Sequence, residues 1–247
     1  MLRQRFPRAH QFIAARFSPN EELGLHLTAG VLLMALSVWI FGEIADEAFD
    51  NGALTALDYQ LARYFHTFKD TVWTGPLLVV THAHAPGFIL AATAVLGIVL
   101  YRRRERYWLL AMAAAVAGGV ILNVLLKYIY QRARPSFDNP VLTALTEYSF
   151  PSGHTMGATL FYGFIAAYVA CQLRSPIGRV AVFVAAACMA LLVAFSRVYL
   201  GAHYLSDVMA AMAEGVAWLS ICITASSTLR RRKERRGLDK FDSDTTP

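Results

Sequence analysis

The sequence has 247 residues, of which 56% are apolar and only 16% are charged. An average soluble domain contains about 45–50% apolar residues, glycine included, and about 25% charged ones. With a mean hydropathy of +0.43, this composition excludes a disordered chain, a coiled coil and a nucleic-acid-binding domain of the usual polar kind. It indicates a membrane protein. The distribution of the net charge of +6 therefore matters more than its size.

Six stretches are apolar enough to cross a bilayer as helices, for which roughly 20 residues are needed. Five are clear: Leu23–Gly42, Tyr107–Leu126, Thr155–Leu173, Val180–Ser196 and Val208–Leu229. We place the sixth at about Pro86–Tyr101, with Thr71–Ala85 as a partly irregular approach at the interface. The first span is expected to stay uncleaved, because its apolar core is too long for a signal peptide. The predicted fold is all-α, a polytopic membrane protein with six transmembrane helices.

Lysine and arginine predict the orientation of the spans. Six spans put both termini on one side, and that side holds 17 of the 23 lysines and arginines, so we expect it to be cytoplasmic. The predicted organisation is a cytoplasmic basic segment 1–22, a membrane domain 23–229 and a cytoplasmic basic, partly disordered tail 230–247. Leu2–Phe17 suits either a helix on the inner membrane surface or an irregular basic tail. The cysteines lie in apolar runs without metal-like spacing, and we expect buried free thiols.

Polar residues gather at the opposite, outer ends of the third to sixth spans. Lys127 ends the third span, Arg134 follows it directly before Pro135, and Arg197 ends the fifth span. Each cation alone is explained as a side chain that snorkels at a helix end. Together with Arg132, they ring a membrane face that carries few other cations.

The tetrapeptide Pro151–His154 opens the fourth span on the same face. Ser152 is a good N-cap, and Gly153 lets the backbone approach a ligand closely. A helix N-terminus binds anions, and His154 can give or take a proton there. The plainer alternative is a cap followed by an interfacial histidine.

His203 and Asp207 are four residues apart at the start of the sixth span, so on a helix they share one face. A carboxylate can then orient the imidazole as a nucleophile or general base, although a purely structural pair has the same spacing. Two histidines, several fixed cations and a helix N-terminus suit a phosphoryl group. No extra carboxylates cluster as magnesium ligands, so we expect neither a metal nor another cofactor.

These groups resemble the three-part signature of the phosphatidic acid phosphatase type 2 family, whose phosphate site is similar to that of vanadium haloperoxidases. The motifs, which match without a gap, are K-x6-R-P from Lys127 to Pro135, P-S-G-H at Pro151–His154 and S-R-x5-H-x3-D from Ser196 to Asp207. The resemblance covers about Tyr107–Ala225 by motif, and the first two spans by topology only.

The resemblance implies a role for each matching residue. His203 would attack phosphorus and carry a phosphohistidine, and Asp207 would orient it. His154 would protonate the leaving alkoxide and then activate water. Arg132 is not one of the matching residues, and the resemblance assigns it no role; a contact to a second phosphate or a headgroup is one alternative. The phosphate oxygens would be held by Lys127, Arg134, Ser152, Gly153 and Arg197.

The resemblance further implies a lipid phosphate substrate at the outer face of a bilayer. Candidates are phosphatidylglycerophosphate, phosphatidic acid, lysophosphatidic acid and undecaprenyl diphosphate. The short chain resembles bacterial members, which places the protein in the bacterial plasma membrane with its site on the periplasmic or extracellular side. We expect no nucleic acid and no obligatory protein partner. The surface that reads the headgroup is expected within Glu43–Ala85 and Ser136–Phe150.

Three other functions compete with this hypothesis. A phosphotransferase of the same fold would pass the phosphate to another lipid and would carry identical motifs. A small transporter or channel is compatible with six spans, but the ionisable residues crowd one interface and form no path across the membrane. A haloperoxidase is disfavoured because those chains are soluble.

Glu214 lies inside the last span, about 10 Å deeper than Asp207 on a continuous helix. A carboxyl at that depth costs a few kcal/mol unless it is paired or protonated. It is a neutral carboxyl bonded inside the bundle, with Asn123 as a partner, or it lies nearer the interface, or it belongs to a proton path or substrate contact. We predict that Glu214 faces the bundle interior and is structural.

Overall fold

The computed structural model describes residues 25–50, 52–142 and 148–245, and beyond residue 234 it describes the backbone alone. All regular structure in these residues is helical, as predicted. In chain order the helices are α1 (Leu25–Phe49), α2 (Ala53–His66), α3 (Thr74–Ala83), α4 (Pro86–Arg102), α5 (Arg106–Tyr130), α6 (Gly153–Gln172), α7 (Pro176–Tyr199) and α8 (Leu205–Thr245).

Helices α1, α5, α6, α7 and α8 are each long and apolar enough to cross a membrane. Helices α3 and α4 pass the same test together and are bent by 50° at their junction, so the pair counted as one span completes the predicted six. Pro86 explains the break, because it lacks an N–H and disfavours a helical conformation at the residue before it. Residues Thr74–Ala83 are helical, so the predicted irregular approach is wrong over this stretch.

Helix α2 was not anticipated from the sequence. It lies between the first span and the broken span, and it packs against α1, α7 and α8. Its buried residues, Thr55, Asp58 and Ala62, are spaced three and four apart, which puts them on one face. This helix therefore covers one end of the bundle with a face that includes a carboxylate.

Helix α8 is the centre of the bundle and packs along α1, α5 and α6. Small residues let the backbones come close, as is common between membrane helices. At Gly118 of α5 an added Cβ would lie 2.2 Å from Cζ2 of Trp218, so only glycine fits this crossing. The Trp218 indole N–H donates to the Ala115 carbonyl at 3.1 Å across the same crossing.

Two expectations about the chain's periphery are corrected. Helix α8 continues to Thr245, where a disordered end was expected from Gly237 onward. Lysine, arginine and glutamate are good helix formers, and Arg230 and Glu234 pair at 3.9 Å one turn apart. Cys171 and Cys188 are exposed on the helix surfaces and only Cys222 is buried. The predicted surface helix at Leu2–Phe17 lies outside the described residues.

Glu214 faces the bundle interior, as predicted. Its side chain is buried, and one carboxyl oxygen accepts a hydrogen bond from the Asn123 amide at 3.0 Å. The other oxygen has no partner among the described residues. The pair links α5 to α8.

Substitutions of Glu214 should therefore act on stability more than on chemistry. Glu214→Gln preserves shape and the bond to Asn123, so we expect unchanged folding and activity. Glu214→Leu leaves the buried amide unpaired and should lower the free energy of unfolding by about 1–2 kcal/mol. Thermal unfolding in detergent measures this difference. A folded Glu214→Gln protein that has lost turnover about a hundredfold would place this acid in the mechanism.

Candidate active site

Six of the eight predicted site residues line one cavity of about 410 Å³ at one end of the bundle. The end of α5, the start of α6, the end of α7 and the start of α8 meet there, because these antiparallel neighbours share that membrane face. Polar groups occupy one part of its wall, namely His84, Asn123, Lys127, Arg134, Gly153, His154, Arg197 and His203. Apolar residues of α4, α5 and α6 form the rest, among them Ile89, Leu90, Val116, Val120, Val124 and Leu160.

His203 sits in the tight turn between α7 and α8. Gly201 has a φ of +69° in this turn, a conformation that glycine adopts without strain. The His203 side chain is 1% exposed, and its Nδ1 lies 3.4 Å from a carboxylate oxygen of Asp207. On the other side of the ring, Nε2 lies 3.1 Å from the guanidinium of Arg134. Because a guanidinium only donates, this contact requires a lone pair on Nε2.

The environment keeps the His203 ring neutral. Burial, which is the main cause, and the charges of Arg197 and Arg134 together lower the pKa of His203 to about 3, against the opposing effect of Asp207. A neutral imidazole with Nδ1–H directed at a carboxylate and a lone pair on Nε2 is the form that a nucleophile needs.

Asp207 is completely buried and is held from several sides. It accepts hydrogen bonds from the Ser149 hydroxyl and, at 2.8 Å, from the Tyr204 backbone N–H. The Ser149 hydroxyl is also 3.3 Å from Nδ1 of His203. The carboxylate is thus fixed against the ring that it faces.

Arg197 is only 3% exposed although it carries a charge. One of its terminal nitrogens donates to the Thr81 hydroxyl at 2.7 Å, which ties the end of α7 to α3. Its Nε has no hydrogen-bond partner among the described residues. A buried donor without an acceptor costs free energy, so a ligand oxygen in the adjoining cavity would complete it.

Lys127 and Arg134 line the same cavity and are anchored to backbone carbonyls. The Lys127 ammonium donates to the Tyr148 carbonyl at 2.5 Å, and Arg134 donates to the Ala202 carbonyl at 2.9 Å. The Tyr148 carbonyl lies in the segment that leads to His154, and the Ala202 carbonyl directly precedes His203. Three cations from three separate parts of the chain thus surround one space.

Ser152, Gly153 and His154 at the start of α6 were all expected to take part in the phosphate site, but they do not all face the cavity. His154 and Gly153 line the cavity. Ser152 is completely buried and does not line the cavity. Its hydroxyl caps α6 by accepting from Thr155, so Ser152 fixes the start of the helix.

Arg132 also differs from the expectation of a headgroup contact. It does not line the cavity, and its guanidinium bridges Asp207 at 2.7 Å and Asp58 of α2 at 2.9 Å. Burial alone would lower the pKa of Arg132, but Asp207 and Asp58 outweigh that effect and raise it. Arg132 is therefore a fixed cation on the far side of Asp207 from His203.

Asp58, Ser149, Thr81 and His84 are the site residues that the sequence did not single out. His84 lines the cavity, and its Nε2 lies 2.7 Å from the Tyr162 hydroxyl of α6. None of the four belongs to a motif, and each meets its partner across a long stretch of chain. Within the described residues, no three His, Cys, Asp or Glu side chains are grouped as a metal site requires.

Comparison with known proteins identifies the family. A family model described as the PAP2 superfamily matches residues 108–231. Phosphatidylglycerophosphatase B of Bacillus subtilis is 28% identical over 182 residues, which cover 73% of this chain and 89% of that protein. Decaprenylphosphoryl-5-phosphoribose phosphatase of Mycobacterium tuberculosis is 31% identical over 159 residues, which cover 62% and 78%.

A crystal structure shares the fold. It is that of the transmembrane PAP2 type phosphatidylglycerolphosphate phosphatase from Bacillus subtilis, with a TM-score of 0.69 and 24% identity, and the match covers 86% of this chain and 97% of that one. The family predicted from the three motifs is thereby confirmed. This chain is a membrane protein that belongs to the PAP2 superfamily.

Proposed function

We propose that this protein is an integral-membrane lipid phosphatase that works through a phosphohistidine. The observation that carries the proposal is the single cavity in which a neutral His203, His154 and three cations lie beside an apolar wall. The cations suit a phosphate and the wall suits a hydrocarbon chain. A phosphorylated lipid has both parts, and a water-soluble phosphate has only the first.

The names of the relatives agree with this substrate class. Two of the relatives are phosphatases named for phosphatidylglycerophosphate and decaprenylphosphoryl-5-phosphoribose. Both compounds join a phosphate to a long apolar chain. We infer that this protein acts on a lipid phosphate or diphosphate of this kind.

The proposed reaction has two steps. The lone pair on Nε2 of His203 forms a bond to phosphorus as the bond from phosphorus to the lipid oxygen breaks, and His154 donates its proton to that oxygen. The anionic phosphate favours the protonated form of His154 before this step. Water, deprotonated by His154, then attacks phosphorus, the N–P bond breaks, and phosphate leaves.

The charged groups have separate tasks in this scheme. Arg134 already contacts Nε2 of His203, so it marks the position of a phosphate oxygen beside the nucleophile. Arg197, Lys127 and the backbone N–H groups at the start of α6 bind the remaining oxygens. These donors stabilise charge that develops in the transition state without reorganising. Asp207 stabilises the positive charge that His203 acquires.

Phosphate release from a panel of lipids tests the function. Purified protein should release phosphate from phosphatidylglycerophosphate, phosphatidic acid, lysophosphatidic acid or undecaprenyl diphosphate, and at least one of them much faster than a short soluble phosphate ester. EDTA should not reduce the rate, because protein cations neutralise the phosphate. Activity that EDTA removes and magnesium restores contradicts metal independence. Phosphate that appears only on a second lipid would indicate a transferase.

We also propose that the site faces the cell exterior or periplasm, with segments 1–22 and 230–247 in the cytoplasm around a membrane domain 23–229. A cysteine at Asn139, in the linker that carries Arg134, should be labelled from outside intact bacterial cells by a membrane-impermeant maleimide. A cysteine at Arg174 should not be labelled, because the α6–α7 linker lies at the other end of the bundle.

The sidedness test starts from a variant without Cys171, Cys188 and Cys222. Arg174 is preferred to its neighbour Ser175, because the Ser175 hydroxyl caps α7 and its loss would disturb the helix. Both sites should react equally once the cells are made permeable. The opposite labelling pattern in intact cells would invert the orientation.

A further inference from the structure

A buried chain of charges extends from the catalytic histidine to α2. Arg132 bridges the carboxylates of Asp207 and Asp58 at 2.7 and 2.9 Å, and its guanidinium carbon lies 4.5 Å from the centre of the Tyr204 ring. Arg132 also donates to the Ser206 hydroxyl at 2.6 Å. The order of charges away from His203 is thus negative, positive, negative.

Asp58 is the far end of this chain and is completely buried. One carboxylate oxygen accepts from the Ser206 backbone N–H at 2.9 Å, and the other accepts from the Ser206 hydroxyl and from Arg132. Asp58 and Asp207 are therefore both fixed to the first turn of α8. An ordinary surface acid in a linker would have none of these contacts.

The charge balance suggests what Asp58 does. Arg132 alone would neutralise Asp207 and weaken its hold on a positively charged His203. With Asp58 present, the three groups carry a net charge of −1 beside the ring. Burying a carboxylate costs free energy even when it is paired, so an acid at this depth fits a site that needs its charge.

We propose that Asp58 is a positioning residue that acts through Arg132. It preserves the negative charge that Asp207 presents to His203. This inference rests on the proposed phosphohistidine reaction. Asp58 limits the electrostatic effect of Arg132 on Asp207 in two ways. It accepts some of the guanidinium's hydrogen bonds, and its negative charge offsets the positive charge of Arg132. Asp207 then stabilises the charge that forms on His203 when Nε2 attacks phosphorus.

Other groups around His203 also influence its protonation. They are Asp207 on α8, Arg134 in the α5–α6 linker, Arg197 on α7, His154 on α6 and, along the cavity wall, Lys127 on α5. All of them stay unchanged in the variants below. A shift in the pH profile of those variants therefore reports on Asp58 and Arg132.

Asp58→Asn tests the proposal, because it keeps the volume and can still accept from the Ser206 N–H. Removing a negative charge disfavours the protonated ring, so the acid limb of the kcat/KM profile should move to lower pH by about one unit. The maximal rate should fall, because Asp207 stabilises the transition state less. Asp70→Asn, at an exposed acid in the linker between α2 and α3, should change neither quantity.

The double variant Asp58→Asn with Arg132→Gln separates charge from structure. It removes one charge of each sign, so the net charge beside His203 returns to −1 and the acid limb should return toward its original pH. A residue that only holds α2 in place would make the double variant at least as impaired as Asp58→Asn, with no return of the limb.

Each outcome of these measurements bears on the proposal. An acid limb that is unmoved in a folded Asp58→Asn protein overturns it, and so does a limb in the double variant that matches Asp58→Asn. If Asp58→Asn does not fold while the double variant folds with the original limb, the electrostatic coupling is supported. If neither folds, Asp58 acts on stability only. Folded unmodified protein that releases no phosphate from any lipid contradicts the proposed function instead.

Discussion

Replacement of His203 by alanine should abolish phosphate release, with a loss of about 10⁴-fold or more. The ring is the group in the cavity that combines neutrality, a lone pair beside a cationic phosphate site and an orienting carboxylate. Without Nε2 no N–P bond can form, so no phosphorylated protein should accumulate. Rapid quenching at alkaline pH with a phosphorus-labelled lipid detects the intermediate, because phosphohistidine is labile in acid.

Two further histidine variants give this experiment its controls. His154→Ala should also lose turnover severely, yet it should still form the intermediate slowly from a lipid ester with a good leaving group, which needs no acid. His82→Ala should behave as the unmodified protein, because His82 is exposed on α3 and does not line the cavity. An intermediate that forms normally in His203→Ala would refute the assignment of the nucleophile.

The spans and the convergence of the motifs could be predicted because both follow from local sequence. Hydropathy over about 20 residues predicts a span, and the number of spans between two motifs decides whether they share a membrane face. Lys127, Gly153 and Arg197 sit at helix ends on one face, and they line one cavity as expected. The spacing of His203 and Asp207 likewise predicts their contact.

The partners of the motif residues could not be predicted, because they come from distant segments with no periodic pattern of their own. In the sequence Asp58 is one acid among several that follow the first span, and only the packing of α2 on α8 brings it to Arg132. Nothing in the sequence around Thr81 marks it as a partner of Arg197, and only the packing of the broken span brings the two together. Such contacts depend on how the helices pack, which hydropathy does not encode.

The side chains of Ser152 and Arg132 both point away from the cavity, for reasons that a motif does not contain. A motif gives the identity and spacing of residues but not the direction of each side chain. Ser152 turns its hydroxyl to Thr155 because the first N–H groups of α6 need an acceptor. Arg132 turns to two buried carboxylates, those of Asp207 and Asp58, and pairs with both.

Arg197→Lys should lower kcat/KM by about 10²-fold or more although the charge is retained. The guanidinium divides its donors between Thr81, which fixes its orientation, and the cavity, where its buried Nε lacks an acceptor among the described residues. A guanidinium has donors on separate nitrogens, whereas a lysine ammonium has a single nitrogen. A lysine is therefore poorly placed to donate to Thr81 and to phosphate at the same time. The variant should also bind the phosphate analogue vanadate much more weakly, measured by inhibition.

Two matched variants test whether Arg197 binds phosphate through an orientation fixed by Thr81 or acts only as a cation at a helix end. Thr81→Val removes only the acceptor that orients Arg197, so it should raise the inhibition constant for vanadate less than Arg197→Lys does, and Thr81→Ser should restore it. Arg63→Lys, on the exposed side of α2, should have no effect. If Arg197→Lys hydrolyses lipid at a near-normal rate, its charge alone suffices. The planar fork, and with it the role of Thr81, would then have no part in binding the phosphate.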